Sequence, residues 1–240
     1  MKRFKNLTIL ATLYFLGVTF LYAASGSGLA TVYKINVNKL ELCETGSSLT
    51  TCLNPITVSK AGLSTDVDLA SITAGEVAAT LGNFGLAKSG VTYTYVQMTM
   101  NRAITIKGSA TADSTVCYTK GDGNLNGTHG VAETTSGDST EATLYVPPFV
   151  DPANFPEINS VGDATGAGAR IAGTVNASDT HFQARQALAA PFILDPTAIP
   201  TVKVAFGTAT AGSVSKGASC DGAARMYATP PDATITIQGQ

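Results

Sequence analysis

The segment 90–108, GVTYTYVQMTMNRAITIKG, constrains the fold more than any other part of this sequence. Apolar residues take alternate positions from Val91 to Tyr95, and the alternation resumes one residue out of phase at Val96. A period of two is typical of a strand with one buried face. A change of phase would turn the apolar side chains outward unless an extra residue absorbs it. We therefore expect a β-bulge between Tyr95 and Val96.

Shorter segments with strand character run along the rest of the chain, with little helical pattern between them. The segment 31–42 alternates in the same way and changes phase at Asn38 and Lys39, which predicts a second bulge. About ten short strands with little helix favour an all-β fold, an antiparallel β-sandwich. Within it, the segments 142–146 and 233–237 are expected to be edge strands that could recruit a partner strand.

The first 23 residues have the layout of a secretory signal peptide, which would form an N-terminal helix. Three cations precede an uncharged apolar run at 7–22, and small residues follow. Cleavage after Ala23 would leave 24–240 as a single β-sandwich domain, with loop insertions at about 109–141 and 147–186. The alternative is an uncleaved membrane anchor, since about 18 apolar residues can span a bilayer.

All four cysteines lie beyond this leader, and an even number in an exported chain indicates disulfides. Four cysteines allow three pairings. We expect Cys43 with Cys52, which flank a turn-like spacer, and Cys117 with Cys220, which would tie a middle strand to a late loop. A zinc site is the alternative, but the chain has no Cys-x-x-Cys motif to support it.

The amino-acid composition indicates the compartment of the protein and excludes some classes of partner. The formal net charge is −2, and no basic stripe is present, which argues against binding to nucleic acid or to anionic membranes. Charged residues make up only 13% of the chain, a low share that is familiar in exported surface proteins. We therefore expect a secreted, periplasmic or cell-surface protein whose partners are copies of itself or other envelope proteins.

The order of the strands resembles a bacterial domain family of unknown function that occurs in secreted and lipid-anchored envelope proteins. The family shows a "vDL…l..G…l…GtYt.irl" signature. The matching residues here are Val67, Asp68, Leu69, Gly75, Gly90, Thr92, Tyr93 and Thr94. The resemblance covers 31–107 and 142–206 and implies a prealbumin-like or immunoglobulin-like sandwich, with 190–206 as its closing hairpin. It supplies no catalytic residues. The chain departs from the family by its long inserts, its four cysteines and its lack of a lipid-anchor cysteine.

The segment 122–133, DGNLNGTHGVAE, matches the calcium-loop pattern D-x-[DN]-x-[DN]-G-x5-E. Oxygen ligands would come from the side chains of Asp122, Asn124 and Asn126, the carbonyl of Thr128 and the carboxylate of Glu133. No helical pattern flanks the segment, so a site here would be a loop site and not an EF-hand. The alternative interpretation is an Asn/Gly-rich turn between strands.

The sequence gives little support for a catalytic motif. The two histidines, His129 and His181, lie in polar segments, and no serine sits in a G-x-S-x-G motif. Ser213 and Lys216 match S-x-x-K, but in a Gly/Ser-rich segment where that chemistry needs a helix. We therefore expect a non-enzymatic structural or adhesive envelope protein that self-assembles. The alternative is an extracellular glycan- or peptide-binding module, stabilised by calcium and using the segment 149–182.

Overall fold

The computed structural model describes residues 24–59, 65–71, 82–123, 130–134, 136–146, 158–162, 179–216, 219–220 and 224–238. Over these residues the fold is all-β, as expected, with 15 strands and two short 3-10 turns, Phe84–Leu86 and Ser136–Asp138. The strands are β1 Ala24–Gly28, β2 Ala30–Glu44, β3 Ile56–Thr57, β4 Thr65–Asp68, β5 Thr92–Asn101, β6 Ala103–Ala112, β7 Thr115–Gly121, β8 Gly130–Glu133, β9 Ala142–Tyr145, β10 Ile158–Gly162, β11 His181–Ile193, β12 Thr201–Gly207, β13 Gly212–Lys216, β14 Arg225–Ala228 and β15 Asp232–Gln238. None of the elements in these ranges is a helix long and apolar enough to cross a membrane.

The segment singled out first in the sequence forms the central ribbon of the molecule. Only Arg102 separates β5 from β6, and β2 runs antiparallel to both of them, from Ala30 opposite Gly108 to Glu44 opposite Tyr93. On the other side of this ribbon, β11 pairs with β5 while β9 and β7 pair with β6. Strand β2 and the ribbon of β5 and β6 therefore provide most of the pairings at the centre of the sheet.

Both expected bulges are present. Cys43 pairs with Tyr95 and Glu44 with Tyr93, so Thr94 is the extra residue on β5, just before the expected position. On β2, the register shifts across Asn38. The bulge at Thr94 keeps Tyr93 on the same buried face as Val96, which is what the change of phase in the sequence required.

The buried apolar residues form two cores. The first lies around β6 and the strands that follow it; its largest members include Tyr33, Ile106, Leu144, Val214 and Met226. In the second, side chains of β12 and β15 pack against β2, β5 and β11; members include Leu42, Tyr93, Val96, Phe192 and Val204. Partly buried Met98 and Phe206 contact both cores.

The strand order corrects two expectations. The strands follow one another as β1-β13-β14-β8-β7-β6-β2-β5-β11-β15-β12, with β3 and β4 on β2, β9 on β6 and β10 on β11. The segment 190–206 is not a closing hairpin, because β15 lies between β11 and β12. For the same reason 233–237 is not an edge strand. Alternation in a sequence reports which face of a strand is buried, not which backbone edge is paired.

Small residues let β1 lie face to face on β6. A Cβ atom added at Gly26 or Gly28 would overlap the backbone of β6, and one added at Gly108 would overlap the carbonyl of Leu29. The facing residues on β6, Ala110 and Ala112, are buried and also small. Backbones can approach this closely only where side chains are absent or short.

The same small residues correct the expected loop insertion at 109–141. That segment contains the end of β6 and all of β7 and β8. The sequence indicates only one brief strand there, at 115–119 within β7, because the end of β6 and β8 bury alanine and glycine and show no apolar alternation. Within the second expected insertion, 147–186, β10 and the start of β11 are strands. The rest of that insertion and the expected signal peptide lie outside the described residues.

Candidate functional site

Two disulfides use all four cysteines of the chain, with the expected pairing. Cys43–Cys52 closes a short loop beside β2, and Cys117–Cys220 joins β7 to the stretch after β13. Cys43, Cys117 and Cys220 are fully buried, the last two in the first core. Such pairs persist in oxidising surroundings, so they are compatible with an extracellular or other oxidising compartment.

Asp122 has a structural partner in this fold. Its Oδ1 accepts a hydrogen bond from the amide of Thr143 at 2.6 Å, and the amide of Gly123 donates to the Thr143 carbonyl at 2.8 Å. Asp122 and Gly123 therefore pair with the backbone amide and carbonyl of Thr143 on β9. Glu133 ends β8 opposite Tyr118. The other expected ligands, Asn124, Asn126 and Thr128, lie outside the described residues. Within the described ranges no group of three or more acidic, histidine or cysteine side chains is placed to hold a metal ion. The calcium loop stays a prediction.

The S-x-x-K match is not a catalytic pair. Ser213 and Lys216 lie on β13, not in a loop, and their odd spacing puts them on opposite faces of the strand. Ser213 donates to the carbonyl of Gly26 at 3.2 Å, while Lys216 is buried. His181 begins β11, with its Nδ1 2.8 Å from the hydroxyl of Thr180. The expected loop histidine is therefore part of a strand.

A buried polar row crosses the three central strands where Glu41, Gln97 and Arg185 are register neighbours. The Gln97 amide nitrogen donates to Glu41 at 2.7 Å, and Lys39 lies 2.9 Å from the other Glu41 oxygen. Arg185 donates to the carbonyl of Leu49 at 3.1 Å. Burial lowers the pKa of Arg185, and Glu41 partly opposes this. These contacts hold the loop bridged by the first disulfide against the sheet.

The last strand of the sheet leaves one backbone edge open. Over the residues that the structure describes, β12 pairs only with β15, from Thr201 opposite Gln238 to Gly207 opposite Asp232. Val202 and Val204 face the second core, while Lys203 points outward. Ile199, just before the strand, is 90% exposed. This edge is a surface on which a further strand could pair.

A cleft lies at the end of β12. Its volume is about 830 Å³, and it is bordered by Tyr95, Gln186, Phe206 and Asp232, which come from four different strands. No local motif links these positions, so the sequence analysis missed the cleft and placed a binding region at 149–182. Only the register of β5, β11, β12 and β15 brings them together.

The fold and the surface define an all-β protein with two disulfides and an open sheet edge beside a cleft. Comparisons with models of protein families, with curated proteins and with solved structures find no match to this chain. The resemblance to the envelope family stays a prediction.

Proposed function

We propose that this chain is a non-enzymatic β-sandwich protein, exported and oxidised, that acts as a structural or adhesive component of the cell envelope and associates with itself. The observation that carries the proposal is the open edge of β12. An edge strand presents a row of backbone donors and acceptors, and another strand that pairs with it satisfies them all at once.

The side chains around this edge suit specific pairing. Ile199 supplies an exposed apolar anchor, and Lys203 places a charge in the middle of the strand. Natural edge strands often carry such a lysine, which discourages indiscriminate aggregation. A partner that offers an acidic residue opposite Lys203 and a pocket for Ile199 is therefore the preferred one.

Two further features support a sandwich at an oxidising location. Residues of β12 and β15 cover one face of β2, β5 and β11, as a second layer would. The disulfide Cys117–Cys220 joins elements that are 103 residues apart in sequence, which stabilises a fold outside the cytoplasm. The hydrogen bonds that Glu41 and Asp122 accept serve structure, which favours a non-enzymatic role.

Sedimentation velocity tests the self-association. We expect the oxidised protein to form larger species as its concentration rises, and Ile199→Asp to remain monomeric. Leu29→Asp is the matched control, because Leu29 is also exposed but lies between β1 and β2, next to the first core. A wild-type protein that stays a monodisperse monomer at millimolar concentration would refute the proposal.

A glycan- or peptide-binding module is the second candidate, and the cleft beside β12 is the observation that favours it. Its volume lies within the range of sites for small ligands, roughly 300–1,000 Å³. A monomeric protein that retains soluble glycans or peptides, with loss of retention in Tyr95→Ala, would support this candidate. Calorimetry with calcium and with a chelator tests the predicted calcium loop in the same preparation.

A further inference from the structure

An apolar cavity of about 90 Å³ lies where the two cores meet. Much of its wall comes from the neighbouring strands β2, β5 and β11, which contribute Tyr33, Met98, Met100, Phe182 and Ala184. Protein interiors normally contain few voids larger than one water molecule. A void of this size inside a small protein therefore calls for a physical reason.

The roof of the cavity is held by contacts that keep it from collapsing. The Tyr33 hydroxyl donates to the carbonyl of Thr229 at 2.8 Å. Thr229 in turn donates from its amide to the Ala211 carbonyl at 2.9 Å and from its hydroxyl to the Thr210 carbonyl at 2.6 Å. The following residues, Pro230 and Pro231, roof the cavity. Because these three hydrogen bonds fix Thr229, they resist an inward movement of the two prolines.

Water is a poor occupant of this cavity. A buried water needs two to four polar partners. Most wall residues are apolar, the two exceptions being Arg185 and Gln186, and the one hydroxyl among them, that of Tyr33, is already bonded to Thr229. Arg185 borders the cavity as well, but its guanidinium donates to the Leu49 carbonyl. The cavity therefore favours an apolar occupant.

A ligand can reach the cavity from the cleft at the end of β12. Five residues border both spaces: Gln186, Phe206, Pro230, Pro231 and Ala233. The cavity and the cleft are therefore adjacent, with these residues at their common border. Gln186 provides a polar group at the mouth, where the polar end of an amphipathic ligand would remain in water.

We propose that this cavity binds a small uncharged apolar group, alkyl or aryl, of about six carbon atoms. Dry apolar cavities of about 150 Å³ in other proteins bind benzene, and this one is somewhat smaller. Met98 and Met100 supply the extra room, because the unbranched thioether side chain adapts its shape to an occupant. The site does not depend on pairing at β12, so the two proposals stand or fall separately.

Methyl NMR of the methionines with benzene as the probe tests the site directly. Besides Met1, the chain has only Met98, Met100 and Met226. We expect benzene to cause a saturable shift of the Met98 and Met100 methyl signals through its ring current. The Met226 methyl should stay in place, because this side chain is fully buried elsewhere in the first core.

A variant that fills the cavity provides a second test. Ala184→Leu places a larger side chain in the cavity and should abolish the benzene shifts. Ala190→Leu, on an exposed position of the same strand, should leave them unchanged. The proposal is overturned if wild-type protein shows no saturable shift, if Met226 shifts as much as the other two, or if folded Ala184→Leu still responds. Should Ala184→Leu fail to fold, the wild-type titration alone decides.

Discussion

Arg102 and Val146 hold each other through two hydrogen bonds. Arg102 Nε donates to the Val146 carbonyl at 3.2 Å, and the Val146 amide donates to the Arg102 carbonyl at 2.9 Å. Arg102 Nη1 also donates to the Asp179 carbonyl at 2.7 Å, and its amide donates to the Thr180 carbonyl at 2.9 Å. One fully buried arginine at the break between β5 and β6 thus ties the end of β9 to the start of β11.

Loss of the Arg102 side chain should lower the stability of the fold. Arg102→Met removes donors from the buried carbonyl of Val146 and the part-buried carbonyl of Asp179, and we expect the free energy of unfolding to fall by about 3 kcal/mol. Arg225→Met is the control, since Arg225 is exposed on β14 and its loss should change stability by less than about 0.5 kcal/mol. Urea unfolding followed by circular dichroism measures both, and equal losses would contradict this role.

The charge of Arg102 predicts how stability depends on pH. Burial lowers the pKa of Arg102 to about 10, against the raising effect of Asp179 and Tyr145. A base with a lowered pKa in the folded state adds stability only as pH rises above that value, and its contribution is constant below it. The difference in stability between wild type and Arg102→Met should therefore stay flat from pH 6 to 9. A slope in that window would show that another titrating group is coupled to Arg102.

The two disulfides should contribute unequally to the free energy of unfolding. Cys117–Cys220 closes a loop of 103 residues and Cys43–Cys52 one of 9. On the chain-entropy model, Cys117–Cys220 is worth about 5 kcal/mol and Cys43–Cys52 about 3 kcal/mol. The double alanine variant of Cys117 and Cys220 should therefore unfold at a clearly lower guanidinium concentration than that of Cys43 and Cys52. The reverse order would mean that strain or residual structure outweighs loop entropy.

The contact of β1 with β6 predicts a sharp difference between two glycines. Gly26→Ala forces a methyl group into the backbone of β6 and should cost about 1–3 kcal/mol. Gly137→Ala should be close to neutral, because a Cβ atom there meets nothing within 4 Å. Thermal unfolding of both variants measures the difference. Similar melting temperatures would show that β1 does not lie on β6 in solution.

Local patterns predicted those parts of the fold that depend on neighbours in sequence. The phase changes near Val96 and at Asn38 revealed both bulges, because a strand with one buried face must keep its apolar residues on that face. The spacing of the cysteines was enough to favour the pairing that the structure shows. For the two bulges and for Cys43–Cys52 the signal and its cause lie within one strand or one loop, whereas Cys117–Cys220 joins elements 103 residues apart.

Features that depend on distant neighbours were missed. Nothing within β15 indicates that β11 takes up one of its edges, so it was expected to be an edge strand. Gly26 and Ala112 lack the bulk that marks a buried strand in sequence, although they face each other across a close contact. The cleft joins Tyr95 to Asp232, which only the register of four strands brings together.

Peptide mapping without reduction, on protein recovered from the culture medium or the cell envelope, tests the central claim most directly. An exported all-β fold locked by oxidised cysteines predicts peptides joined as Cys43–Cys52 and Cys117–Cys220, with no free thiol. Free thiols, another pairing, or a protein found reduced in the cytoplasm would contradict the account.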